Sequence, residues 1–346
     1  MTRDSARDSI RDSIRDHSTE PVGLLAAAHH LPERICTLDE IVARETGPVD
    51  VTAAARLGVG SVHVFEGESP TDMALAVSRK VLEAAGLSPL DLDAIIDFSM
   101  MPQRYVEPAW SMSNELQAEL GAKRAFTLGY SGGHSSNLHA AIKFARALIL
   151  ANDDVNRVLL VAADQAIAGN RVIAGLDAPL TVLGDGASAV IVARGAGRAA
   201  ILGTALRSTG ALHDVLNIPG GGMKHPTRLD LYRLTLDAAK HDRADRTNEL
   251  KGLVDRLLAR HGLSGGDISR TITANISAAD AQAVGDSLCT GARLVPAGFA
   301  SRGHLHGSDL VLNLLELEEE APPAGSHVLL ATHGHGFLYG ATLLQY

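Results

Sequence analysis

Asn156-Arg157-Val158-Leu159-Leu160-Val161-Ala162-Ala163 has an echo in Ser326-His327-Val328-Leu329-Leu330-Ala331-Thr332. Each is a near-continuous apolar run of strand length, the pattern of a strand covered on both faces. Each is followed by a glycine-rich turn and a closing apolar strand. The first passes to Leu183-Gly184-Asp185-Gly186-Ala187-Ser188-Ala189 and the second to Gly334-His335-Gly336-Phe337-Leu338-Tyr339-Gly340-Ala341. This internal echo predicts a duplicated α/β unit.

Working outward, strands and helices alternate. VGLLAAAHHLP reads as a strand running into a turn, and TLDEIVARE as a short helix. SPTDMALAVSRKVLEAAG, residues 69–86, has apolar positions three and four apart, a Ser-Pro start and a Gly stop, so it predicts a helix. DAIIDFSM is a buried strand, AWSMSNELQAELGA a helix stopped by Gly121, RAFTLGY a strand, and HSSNLHAAIKFARALILAN a helix after a glycine-rich turn. Beyond Arg198, AAILGTALRSTG predicts a pair of strands. LDLYRLTLDAAKHDRADRTNELKGLVDRLLARHGL predicts helix with one break. TITANIS is a strand, DAQAVGDSL a helix, and HGSDLVLNLLELEEE a helix that Ser308 or Asp309 can cap. The expected organisation is a tail over residues 1–20, where an R-D-S unit repeats, then halves spanning 21–197 and 198–346.

Bulk properties narrow the function. With 346 residues, 46% hydrophobic, the chain can bury a large core. A net charge of -9 and only 3% aromatic residues argue against nucleic acid, which needs a basic surface and stacking rings. Cys36 and Cys289 stand in no metal-ligand spacing and read as reduced, buried thiols of a cytoplasmic protein. No apolar run is long enough to span a bilayer. The basic Lys240, Arg243 and Arg246 read first as a solvated helix face, the alternative being a local patch that meets an acidic partner.

The segment that carries chemistry is Leu128-Gly129-Tyr130-Ser131-Gly132-Gly133-His134, between a strand and a helix. A small residue among glycines can stand on a sharp turn, its hydroxyl at a helix N-terminus where negative charge is favoured. Gly129-x-Ser131-x-Gly133 matches the nucleophile elbow of α/β-hydrolases, with Asp185 and His333 or His335 following in the hydrolase order. An esterase of that fold is therefore one expectation.

A broader resemblance runs from about Val22 to Tyr346. The sequence resembles ketoacyl-acyl-carrier-protein synthase III of the thiolase superfamily. It does so through VGLLAAAHHLPERICTLDEI, the helix and strand TDMALAVSRKVLEAAGLSPLDLDAIIDFSM, the turn at Ser131, RVLLVAADQ, the Gly184-Asp185-Gly186-Ala187 block and the C-terminal glycine-rich turn. Ordered blocks over the whole length outweigh one pentapeptide. The resemblance implies a thiolase fold, two duplicated halves in five α-β-α-β-α layers, working as a homodimer on acyl-coenzyme A or an acyl carrier protein with no further cofactor and no metal.

The same resemblance shows departures. Condensing members of the family use a cysteine, a histidine and an asparagine. Here Ser131 falls at the cysteine, Ala274 beside Asn275 at the histidine, and His304 at the asparagine, in Gly303-His304-Leu305-His306-Gly307-Ser308. A serine needs an adjacent base. Loss of one oxyanion donor costs about 10²–10³ in rate. The expected activity is therefore acyl transfer from a thioester through Ser131 to an alcohol, amine or water, with His304 as base and an oxyanion hole from the Ser131 and Gly336 N–H groups. His306, His134 and His335 are rival bases, and Asp280 and Asp309 can orient an imidazole. Arg56 resembles the family's tunnel arginine, although the segment around it lacks the family's tryptophan. The other expectation is a non-catalytic partner subunit of an active condensing enzyme.

Overall fold

The structure is a computed structural model that describes residues 20–105, 110–195, 197–288, 298–335 and 338–346, with the backbone of Arg293–Leu294. The R-D-S repeat, Cys289 and Gly336 lie outside the described residues.

Among the described residues, ten strands form one mixed sheet. In chain order they are β1 (Val22–His30), β2 (Ala94–Asp97), β3 (Phe126–Gly129), β4 (Arg157–Asp164), β5 (Gly186–Arg194), β6 (Ala199–Ser208), β7 (Ile268–Ile272), β8 (Arg293–Leu294), β9 (His327–Gly334) and β10 (Leu338–Gln345). Their spatial order is β8-β7-β9-β10-β6-β1-β5-β4-β2-β3. Adding five to each strand of the order 3-2-4-5-1 gives 8-7-9-10-6, so the two halves share one topology. The directions repeat as well. β2 runs parallel to β3 and β4, and β7 to β8 and β9. The remaining pairings within each half are antiparallel.

The helices repeat in the same way. α1 (Pro70–Ala85), α2 (Met112–Leu120) and α3 (Asn137–Ala151) belong to the first half; α4 (Arg246–Arg260), α5 (Ala278–Leu288) and α6 (Ser308–Glu319) to the second. α3 and α6 share a central core with one face of the sheet. α1 and α2 cover the outer face of the first half, and α4 and α5 that of the second. Strand alternation fits these layers. Val158, Leu160 and Ala162 of β4 point to the central core, while Leu159, Val161 and Ala163 point to α1 and α2. In β9, Val328 and Leu330 face inward and Leu329 and Ala331 outward. Both faces of each echoing strand are covered, which is why the sequence is apolar without interruption.

Local signals act as expected at α1. Ser69 accepts from the Asp72 N–H while Asp72 accepts from the Ser69 N–H, and Gly86 closes the helix at φ 65°. Three expectations shift. Residues 199–208 make one strand with a register slip between Ile201 and Gly203, not a pair. A Cβ at Gly203 would stand 2.6 Å from the His261 ring, so glycine there serves close packing rather than a turn. The long helix of the second half begins later than its periodicity suggests. Thr235–Leu236 pairs with Leu216–Asn217 as a short ribbon, and Asp237 then caps a separate turn, Ala238–Asp242. Finally, β7 ends at Ile272, and Thr273–Ser277 lead into α5, where Ser277 Oγ accepts from the Asp280 N–H at 3.1 Å.

Candidate active site

Three glycine-flanked turns meet near the middle of the molecule. The turn His134–Ser136 packs on β9, β10 and α6. Gly303–Gly307 leads into α6, and Gly334-His335 ends β9. Together they bring four buried imidazoles into one cluster: His134, His304, His306 and His335. Ring centroids lie 5.0 Å apart for His304 and His306, 6.1 Å for His304 and His335, and 5.2 Å for His134 and His335.

His304 is the best fixed of the four. Its N–H donates to Val182 at 2.8 Å and its carbonyl accepts from the Gly184 N–H at 3.1 Å. The preceding Gly303 has φ 62°, and a Cβ there would stand 2.4 Å from the Val182 carbonyl, so no side chain fits. The ring is fixed by Asp309, with Nδ1 2.6 Å from Oδ2. Asp309 is fixed in turn: Oδ2 accepts from the Asn275 N–H at 2.7 Å and Oδ1 from the Leu305 N–H at 2.8 Å. A carboxylate can only accept, so Nδ1 carries the proton and the lone pair falls on Nε2. Nε2 is buried and has no hydrogen-bond partner among the described residues.

The neighbours are held neutral. Burial and then the nearby His304 lower His134 to about 3. Burial, with His304 and His134 beside it, takes His306 well below its ordinary value, and burial does the same for His335. His134, His306 and His335 have φ of 50°, 54° and 50°, a region that residues with a Cβ seldom occupy. His134 Nδ1 lies 3.0 Å from Met100 Sδ.

The other sequence-predicted residues separate. Ser131 is exposed on the loop after β3 and makes no side-chain hydrogen bond among the described residues. It lines a cavity of about 460 Å³ together with Asp97, Ser99, Met100, Tyr130 and Tyr232. Among the described residues no hydrogen bond joins it to His304. The residue at the head of the helical segment is His134, three positions further on. Asn275 accepts from Asn313 Nδ2 at 3.0 Å through its side chain and supports the His304–Asp309 pair through its backbone N–H. Arg56 is exposed at the end of the short helix Val51–Ala55. Asp280 pairs with His333 at 3.0 Å, apart from Asp309. Arg246 donates to the His241 carbonyl and is not a freely solvated cation. Among the described residues, no group of three His, Cys, Asp or Glu is arranged to hold a metal ion, and no helix is long and apolar enough to cross a membrane.

The hydrolase order does not survive in space. Both Asp185 oxygens are taken by Arg171 at 2.7 Å, and they also accept from the Phe65 and Ala166 N–H groups. His333 uses Asp280 instead. The duplicated sheet is likewise a different topology from a single hydrolase sheet.

No family model matches the sequence. β-Ketoacyl-[acyl-carrier-protein] synthase III of Jannaschia sp. (strain CCS1) is 31% identical over 257 residues, covering 72% of this chain and 74% of the relative. The chain belongs to the β-ketoacyl-acyl-carrier-protein synthase III family. Solved structures agree on the thiolase fold. The priming β-ketosynthase of a polyketide biosynthetic pathway superposes with a TM-score of 0.80 at 20% identity, over 96% of this chain and 98% of that one. ChlB3, an acyltransferase by its name, gives 0.75 at 22% identity over 94% and 97%. In this member of the synthase III family, four buried histidines at three turns stand together. The sequence signal was present, since each of the four lies beside a glycine or one residue from it, but each read singly as a loop residue.

Proposed function

We propose that this synthase III family member transfers an acyl group from a carrier-protein or coenzyme A thioester to a hydroxyl or amine acceptor in a specialised biosynthetic pathway. His304 is the base. One observation carries the reading: His304 is held through Nδ1 by a doubly anchored Asp309, with its buried Nε2 unpartnered among the described residues. A base must be oriented by a third group to take a proton from its nucleophile, and this pair supplies that orientation.

The reading departs from condensation. Carbon–carbon bond formation needs the acyl group parked on an enzyme nucleophile while a second thioester is activated. Ser131, the hydroxyl nearest to that role in sequence, has no base within hydrogen-bond reach among the described residues, and an unassisted serine is a weak nucleophile. The transfer therefore passes directly to the acceptor. The route through a Ser131 ester would need the Ser131 loop to carry Oγ to His304.

The test combines acyl-carrier and acyl-coenzyme A thioesters of several chain lengths with alcohol and amine acceptors. Ester or amide product is expected, with turnover reduced at least a hundredfold by His304→Ala. Intact-mass spectrometry of the protein separates the two routes by the presence or absence of an acyl group on Ser131. A malonyl-derived β-keto product, or equal turnover in the His304→Ala variant, would refute the reading. A second reading, a non-catalytic partner of an active condensing enzyme, draws on the cavity wall, which presents Met100 rather than an imidazole. It predicts thioesters unchanged over hours and a stable complex with such an enzyme.

A further inference from the structure

His306 is 1% exposed, and neither ring nitrogen has a hydrogen-bond partner among the described residues. Buried polar groups are nearly always paired, so two unpaired nitrogens on one ring are a departure to be explained. A leucine or phenylalanine would fill the same space without leaving polar atoms unsatisfied. The backbone also departs from the ordinary, at φ 54° on a residue with a Cβ. The turn is pinned into that conformation. The Leu305 N–H donates to Asp309, the Ser308 N–H donates to the Leu305 carbonyl, and a Cβ at Gly307 would stand 3.2 Å from the Phe98 ring. Strain held by the surroundings marks a position kept for its chemistry.

The placement says which chemistry. The His306 ring centroid is 5.0 Å from that of His304, with the planes tilted by 59°. His304 has a carboxylate to steady it when it takes a proton. His306 has no carboxylate partner among the described residues, so it is poorly suited to become an imidazolium. A neutral imidazole still offers one N–H donor. In a buried site such a donor acts strongly on developing negative charge.

We infer that His306 donates the hydrogen bond that holds the thioester oxygen as negative charge builds on it, so that His304 and His306 are the base and the oxyanion donor of one site. The inference rests on the acyl-transfer reading above. In the step, the acceptor oxygen or nitrogen bonds to the thioester carbon and its proton passes to His304 Nε2. The carbonyl π pair moves onto oxygen, where the His306 N–H holds it. Collapse restores the carbonyl, breaks the carbon–sulfur bond, and returns the proton from Nε2 to the leaving thiolate. No other reactant is consumed.

The experiment uses the full chain, with His306→Phe, His306→Asn and His304→Ala variants, and acetyl-coenzyme A carrying ¹³C at the carbonyl. Isotope-edited infrared spectroscopy reads donation to the carbonyl directly and does not depend on turnover. A lower carbonyl stretching frequency is expected on binding to the wild type and to His306→Asn. It should stay close to the free thioester in His306→Phe. In the transfer assay, His306→Phe should lose about 10²–10³ in kcat with little change in KM, the range for one oxyanion donor, and His306→Asn should recover most of it. His304→Ala should keep the infrared shift and lose the turnover. A wild type that shows the His306-dependent shift without transfer would sink the acyl-transfer reading and leave the donor assignment standing. The assignment is overturned if the His306→Phe shift equals that of the wild type, or if the wild type fails to bind the probe.

Discussion

Lowering the pH from 7 to 5 should remove much of this protein's stability, through histidines buried in the neutral form. His134, His139 and His241 are each lowered to about 3, in every case chiefly by burial. In the unfolded chain they titrate near the ordinary value of about 6.5. Below that value the unfolded state binds more protons than the folded state, so stability falls as the pH falls, and the loss continues until the folded pKa is reached. The linkage relation gives about 2 kcal/mol for each such histidine between pH 7 and pH 5, or about 6 kcal/mol for the three. His306 and His335 are shifted in the same direction and add to it. Asp164 opposes them. Burial raises it to about 7 against the Met100 and Met101 N–H groups. Its folded pKa lies above the unfolded one, so it returns about 2 kcal/mol over the same range. The expected net loss is at least about 4 kcal/mol, set against a total stability of about 5–15 kcal/mol for a typical protein. Urea unfolding at pH 7, 6 and 5 and fixed protein concentration measures it. His139→Gln, which removes one of the three, should make the loss shallower by about 2 kcal/mol whatever the substitution does at pH 7. A change below about 2 kcal/mol across the range would mean that at most one histidine is buried neutral, and the description of the cluster would fail.

Three further outcomes follow from single contacts. Arg171→Ala leaves Asp185 fully buried without its two 2.7 Å partners and should cost about 3–5 kcal/mol in urea unfolding. Asp309→Ala strips the acceptor from three buried donors, His304 Nδ1 and the Asn275 and Leu305 N–H groups. Each unpaired donor costs about 1–3 kcal/mol, so a loss of at least about 3 kcal/mol is expected, with Asp309→Asn in between and base function lost in the alanine variant. Gly340→Ala drives a Cβ to 2.3 Å from the His139 ring; it should lower stability by about 1–3 kcal/mol, and adding His139→Ala should recover part of that, read as a double-mutant cycle on Tm.

Much of the fold was legible because its signals are local. The two echoing strands are apolar on both faces because both are covered, and that pattern is written in consecutive residues. Ser69, Pro70 and Gly86 set the ends of α1 within one segment. What the sequence did not disclose depends on distant partners. The break before α4 arises from the pairing of Leu216 with Leu236, and Gly203 sits beside His261; neither leaves a periodic trace. The candidate site was half legible. His304 and Asp309 lie on one turn and the next helix, so their pairing could be anticipated. His134, His306 and His335 were noticed, but a histidine beside glycine is ordinary in loops, and their convergence needs the topology of both halves.

The placement of Ser131 illustrates the limit of spacing as a guide. A residue between glycines after a strand fits a nucleophile turn, and on sequence alone Ser131 is the natural occupant. The structure starts the helical segment later, after Gly132 at φ 97° and Gly133, whose N–H donates to Asn137 Oδ1 at 2.7 Å. The residue that takes the left-handed conformation at the helix head is His134. Two glycines after Ser131 thus extend the loop and carry the serine out to the cavity wall, while an imidazole stands where it was expected. An imidazole there faces the His335 ring and Met100. Its neighbours differ in their partners: His304 has Asp309, as the proposed base requires, whereas His306 has no carboxylate partner among the described residues, as the proposed donor requires. On the proposed transfer, that asymmetry gives a cluster of like residues a direction for the proton.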